Sequence, residues 1–185
     1  MKRKEVGLAL FLILTGIFFR TIWHIGPNVE FLTTASFLSS YYLSKKWAII
    51  VPLATIVASD IVLGNTLIFL FTWSGYVGIG LLASLVKNIR RVVPIVSGLG
   101  FVIVSALWFY LWTNFGVWLL DSFGMYDNTL SGLINSYIAG FPFLRAHIIG
   151  SIMFLTLSFG VIYTYQFFIS RVSYQRNSRI RFQSS

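Results

Sequence analysis

Cysteine is absent from the 185-residue sequence. Disulfides, thiolate metal ligands and cysteine nucleophiles are therefore excluded, and the redox compartment leaves no trace. Charge is almost as scarce. Asp, Glu, Lys and Arg together supply 10% of residues, against about 25% in an ordinary soluble domain. That is too little to cover a globular surface, so a soluble enzyme, a coiled coil and a disordered chain all fit poorly. Acidic residues are the rarest, five against fourteen Lys and Arg, which leaves a net charge of +9. Catalytic signatures are missing too: there is no His-Glu-x-x-His, Gly-x-Ser-x-Gly or phosphate-binding glycine loop. No internal repeat of the kind that builds alternating-access carriers is visible.

What remains is 57% hydrophobic and 18% aromatic. The expected class is an all-α integral membrane protein. Apolar runs near the 20 residues that cross a bilayer mark six segments: Val6–Trp23, Val29–Leu43, Trp47–Leu63, Leu67–Leu85, Val92–Trp118 and His147–Ser170. The second is short for a full crossing. Pro52 and Pro94 are expected in first turns, where a missing backbone donor costs little. Lys2, Arg3 and Lys4 precede the first run as in a signal peptide, but Phe18-Phe19-Arg20-Thr21 is no small-residue cleavage site, so the helix is expected to be retained. The chain thus divides into a six-helix transmembrane domain, 1–170, and a basic cytoplasmic tail, 171–185.

The basic residues orient this bundle. With the N-terminus inside, Lys2, Arg3, Lys4, Lys45, Lys46, Lys87, Arg90, Arg91, Arg171, Arg176, Arg179 and Arg181 all lie on the cytoplasmic side, twelve of the fourteen, leaving only Arg20 and Arg145 outside. Both termini are then cytoplasmic, and the basic excess is a topology signal with a grip on anionic lipid, not a nucleic-acid footprint.

Apart from Glu5, the acidic residues and histidines collect on the opposite side, His24, Glu30, Asp60, Asp121, Asp127 and His147, and Arg20, Asn28, Asn65, Asn114, Asn128, Asn135 and Arg145 share that side. A one-sided polar face over an apolar bundle is where a ligand would be met. Asp60, one turn from the end of its run, needs a cationic partner, and Arg20 stands at the matching depth of the first run. That pair reads equally as a structural ion pair or a ligand anchor. Tyr110, Asn114, Trp118 and Asp121 recur on one helix face, while Trp108 and Trp112 read as an aromatic belt. Asn114 is expected to face the bundle, since an amide directed at lipid is costly. In the long connection Leu119–Ala146, Thr129 is a reasonable N-cap for a short interfacial helix, Thr129–Ala139, which Gly140-Phe141-Pro142-Phe143 is expected to break. Ser74 and Gly78, then Gly80 and Ser84, have spacing that lets helix backbones approach. A metal site from His24, Asp60 and His147 has no supporting spacing, so no metal and no cofactor are expected.

Several stretches resemble a known family. Pro27-Asn28-Val29-Glu30-Phe31, Trp47-Ala48, Ser59-Asp60-Ile61-Val62-Leu63-Gly64, Asn114-Phe115-Gly116-Val117-Trp118 and Tyr137 through Arg145 look like the recurrent stretches of DUF6580, a prokaryotic membrane family without assigned function. The resemblance covers roughly residues 15–165. That family is similar in size and layout to the S components, the substrate-binding subunits of energy-coupling factor vitamin transporters. The resemblance implies a six-helix bundle in the cytoplasmic membrane of a prokaryote, with an outward pocket, operating with a coupling subunit and ATPases or alone. One departure is that Gly7, Ala9 and Gly16 do not make the four-residue spacing by which S components commonly dock on the coupling subunit.

The expected function is therefore substrate binding for uptake of a vitamin or similar small organic nutrient, a corrinoid being one candidate, with no enzymatic activity. The expected substrate-binding residues are Arg20, His24, Asn28, Glu30, Asp60, Asn114, Trp118, Tyr137, Arg145 and His147. Asn28, Asp60 and Asn114 would anchor polar groups, Trp118 and Tyr137 would stack on a ring, and Arg20 and Arg145 would pair charge. The alternatives are a structural or assembly protein with a protein partner, and a small intramembrane enzyme using His24, Asp60 or His147.

Overall fold

A computed structural model describes residues 3–23, 25–64, 66–86, 93–121 and 124–183, with side chains as far as residue 171. Among them six helices and no strand occur: α1 Arg3–Thr21, α2 Leu32–Tyr42, α3 Trp47–Leu63, α4 Phe69–Val86, α5 Pro94–Leu120 and α6 Leu130–Gln183. Three of them, Phe69–Val86, Pro94–Leu120 and the Leu130–Arg171 part of α6, are long and apolar enough to cross a membrane, and α3 is a shorter apolar helix. Asn65, Lys87, Arg90, Arg91 and Val92 lie outside the described residues.

The helices are arranged around α2. It packs against each of the other five, while α1, α3, α4, α5 and α6 follow one another around it. Nine of its eleven residues are buried, Leu32 through Ser40. At 1.5 Å per residue it is about 16 Å long, half the hydrocarbon thickness of a bilayer, so α2 is an enclosed post and not a full crossing.

Five of the nine residues that α2 buries are polar: Thr33, Thr34, Ser36, Ser39 and Ser40. Three of these hydroxyls donate to backbone carbonyls of three different neighbours. Ser36 Oγ donates to Ala48 O at 2.8 Å, Ser40 Oγ to Ala83 O at 2.6 Å and Thr34 Oγ1 to Ser151 O at 3.2 Å. Ala83 stands in the last turn of α4, where carbonyls lack a donor from within the helix.

Ala48 is orphaned for another reason. Pro52 is the sixth residue of α3 and not a first-turn residue as expected, so the N–H that would reach Ala48 O does not exist. The Ser36 hydroxyl takes its place, which is how a proline becomes tolerable inside an apolar bundle. The small residues of α4 act as packing, as their spacing predicts. A Cβ on Gly80 would meet Ala48 O and Ile49 Cα of α3, and one on Gly78 would press on the Trp108 ring of α5.

The expected break at Gly140–Phe143 does not occur. α6 runs through Pro142 as one helix of 54 residues, about 80 Å long. Gly140 is no hinge: it is where α6 lies against the Asn114 side chain of α5, with no room for a Cβ. Pro142 is exposed, so the carbonyl it leaves unbonded, that of Ile138, is not trapped in the interior. Thr129 does cap this helix, its Oγ1 accepting the Gly132 N–H at 3.1 Å.

Replacing Ser36 by Ala should lower stability by about 1–3 kcal/mol, because the Ala48 carbonyl is then buried without a donor. Adding Pro52→Ala restores that donor within α3. Thermal unfolding in detergent should therefore show S36A/P52A recovering much of the loss, and purely additive losses would disprove the substitution of one donor for the other.

Candidate functional site

The charged residues of the interior meet at the end of the bundle where α1 and α3 finish and α4 begins. Arg20 comes from the last turn of α1 and Asp60 from that of α3. Glu30 precedes α2 by two residues, where a carboxylate complements the positive end of the helix dipole. The turn that brings it there needs Asn28 in a left-handed conformation, φ 58°, which asparagine tolerates better than most residues.

The Arg20 guanidinium is forked between the two acids. One Nη pairs with Glu30 Oε1 and the other donates to Asp60 Oδ1 at 2.8 Å. The remaining oxygens are taken by α4: Tyr76 donates to Glu30 Oε2 at 2.9 Å and Trp73 Nε1 to Asp60 Oδ2 at 2.8 Å. Asp60 has a further interaction. Side-chain exposure is 16% for Arg20, 13% for Glu30 and 3% for Asp60, so the cluster is desolvated, and Tyr76 closes it from the core side at 1%. Arg20 Nε is buried with no partner among the described residues.

His147 borders this cluster. Its Nε2 is 2.8 Å from Thr33 Oγ1, its ring stands edge-on to Phe109 with centroids 5.4 Å apart, and it lies within electrostatic reach of Glu30. One turn further along α6, the Ser151 hydroxyl is buried with no partner among the described residues.

Four of the expected site residues, Arg20, Glu30, Asp60 and His147, thus fall in this region, and the Arg20–Asp60 pairing is the one their depths predict. Others are engaged elsewhere. Asn114 Nδ2 donates to Tyr110 O of its own helix at 2.8 Å and packs on Gly140. Trp118 Nε1 donates to the carbonyls of Asp127 and Thr129, both at 3.1 Å, pinning the α5–α6 connection to α5. Tyr137 donates to Leu111 O at 3.2 Å and its own carbonyl accepts from Tyr110 at 2.6 Å. These contacts tie α5 to α6 and account for all three residues as packing. Asn28 serves the turn, Arg145 is exposed, and His24 lies outside the described residues. Tyr76, Trp73 and Thr33 are members that the sequence reading missed. The available signal is that residues 73 and 76 share a helix face three apart.

Among the described residues no group of three or more His, Cys, Asp or Glu is arranged to hold a metal ion. The only cation set against Glu30 and Asp60 among the described ion pairs is Arg20.

The molecule is an all-helical protein with apolar, membrane-length helices and a buried ionic cluster at one end. The chain belongs to DUF6580, a family of unknown function, whose model matches residues 1–172. No curated protein and no solved structure matches it.

Arg20→Gln leaves two buried carboxylates without their cation and should destabilise by about 3–5 kcal/mol. Neutralising all three, as R20Q/E30Q/D60N, should recover part of that loss in detergent melting experiments. A single variant as stable as wild type would show that the cluster is not desolvated as described.

Proposed function

We propose that this protein is a membrane-embedded substrate-binding subunit for uptake of a small organic nutrient, of the S-component kind. In this reading the bundle sits in a prokaryotic cytoplasmic membrane with both termini inside, the lysine-bearing end facing the cytoplasm and the Arg20 cluster facing out. It would act alone or with a coupling subunit and ATPases. The observation that carries it is the Arg20–Glu30–Asp60 cluster. Three ionised groups removed from water are costly to a bundle, and they stand at the end where the polar residues gather, with the Arg20 Nε donor unspent among the described residues. Ligand sites are built from such few convergent polar groups in an apolar setting.

A second reading has an observation of its own. Each of the four carboxylate oxygens already accepts from one donor, which is what a structural clamp in an assembly protein requires. The substrate-binding reading has the ligand displace one of these donors. Tyr76 and Trp73, which reach Glu30 and Asp60 from α4, are the two whose removal costs no charge.

Native mass spectrometry of gently purified protein, with identification of any small molecule released on denaturation, separates the two. A retained organic molecule whose occupancy falls at least tenfold in Glu30→Gln, with the protein still folded, is the expected result. Protein that is empty yet co-purifies stably with another membrane protein would replace the uptake reading by the clamp.

A further inference from the structure

Two serines of the interior carry hydroxyls that no protein group answers. Ser105 of α5 and Ser151 of α6 are both 0% exposed, and neither Oγ has a hydrogen-bond partner among the described residues. The easy remedy inside a helix is to bond the carbonyl four residues back, and Thr55, Thr113 and Thr156 all do so. Ser105 and Ser151 do not. A hydroxyl stripped of water and left unpaired is costly, so each needs a partner of another kind.

The contacts around them place the two serines in one layer. Three contacts fix α5 and α6 as antiparallel neighbours: Asn114 against Gly140, Phe109 against His147 with centroids 5.4 Å apart, and Gly98 against Leu155. Ser105 stands one turn from Phe109, and Ser151 one turn from His147, both toward the Gly98–Leu155 contact. Both stripes also face α2. Phe101, one turn before Ser105, rests on Phe37 of α2 at 5.5 Å, and His147 reaches Thr33 of α2 at 2.8 Å. Thr34 of α2 donates to the Ser151 carbonyl itself at 3.2 Å.

The chemistry of this layer is narrow. Two hydroxyls at one level of adjacent helices, not bonded to each other, are separated by more than one hydrogen bond, and a single oxygen between them can serve both. The occupant has to donate and accept at once. Thr34, Phe37, Phe101 and Phe109 offer no carboxylate to hold a cation there. Complete burial of both serines leaves no route for a ligand with a carbon frame. Water fits these demands, and internal waters make about three hydrogen bonds each to groups left otherwise unsatisfied. Thr34 Oγ1 supplies the third, since its proton is spent on Ser151 O while its lone pairs still accept.

We infer that one water molecule is built into the layer between α2, α5 and α6, bridging Ser105 Oγ and Ser151 Oγ and donating to Thr34 Oγ1. The inference rests on interior packing and is independent of what the ionic cluster binds. The water joins three helices midway along the bundle, one turn beyond His147, where the serine side chains do not reach one another.

The test has two parts, both on the full chain. A density map of the protein in lipid, at a resolution that shows ordered water, should place one water within hydrogen-bond distance of both hydroxyls. Ser105→Ala and Ser151→Ala should each lower the melting temperature in detergent by about 2–4 °C. The double variant S105A/S151A should lose no more than the larger single loss, because the two hydroxyls hold one shared molecule. Serines turned to the carbonyls of Phe101 and His147 with no density between them would overturn the proposal, as would single losses that are absent or that add in the double variant.

Discussion

A helix rich in hydroxyls cannot sit unpartnered inside an apolar bundle, and α2 places five of them there. Bulk water and lipid are both shut out, so every donor has to be matched from within the bundle. The matches are specific. Ser36 answers the carbonyl that Pro52 frees in α3, Ser40 answers one in the last turn of α4, and Thr34 and Thr33 reach Ser151 and His147 of α6. These bonds fix the depth and rotation of α2 against three separate helices, where apolar contact alone would let it slide. A short central helix can therefore be central because it is polar. An apolar segment of the same length would have no reason to prefer this register.

The ionic cluster extends the same constraint to the entrance of α2. Glu30 is carried inward by the turn at Asn28 and is buried with Asp60, and one guanidinium serves both. Arginine suits this because its planar fork offers several donors in fixed directions at one charge, which lysine does not. Tyr76 and Trp73 then supply neutral donors to the outer oxygens, so α4 is held to the cluster without a further charge. Four chain segments are locked at one point by this arrangement. Any movement of α1 against α3 and α4 has to break charge-assisted bonds in a poorly solvated site. This end of the bundle is therefore stiff relative to the open seam between α1 and α6, whose backbones do not pack against each other.

The helices themselves were legible in the sequence because apolar run length and turn residues are local. Gly64 and Asn28 end or turn segments through positive φ, and Thr129 caps α6, all as their residue types imply. The Arg20–Asp60 pair was legible from matching depth, since a buried carboxylate restricts the choice of partner to very few cations in so uncharged a chain. What could not be read was lateral arrangement. Tyr76 and Trp73 look like any aromatic pair until α4 is known to lie beside α3. That Asn114 lies against Gly140 of α6 is likewise invisible until α5 and α6 are known to be neighbours. The continuity of α6 through Pro142 was hidden for a related reason. A proline is tolerated inside a helix when the carbonyl it orphans meets another donor, as Ala48 O meets Ser36, or stands on an exposed face, as at Pro142. Both depend on neighbours that the sequence does not display.

The topology also explains why there is a seam at all. Five helices wrapped around one must either meet end to end or leave a gap, and a thin, short centre sets the circumference. With α2 only eleven residues long, the outer helices extend past it at both ends, and it is their large side chains that decide closure. On the cluster side, Phe19 and Phe154 bridge the gap; lower down, Leu157 and Val161 face outward and do not. The closed part lies over the charged groups, where contact with hydrocarbon would be most costly. The open part lies over Leu38, where an apolar neighbour is tolerated. The aromatic bridge is thus placed where the energetic need for insulation is greatest.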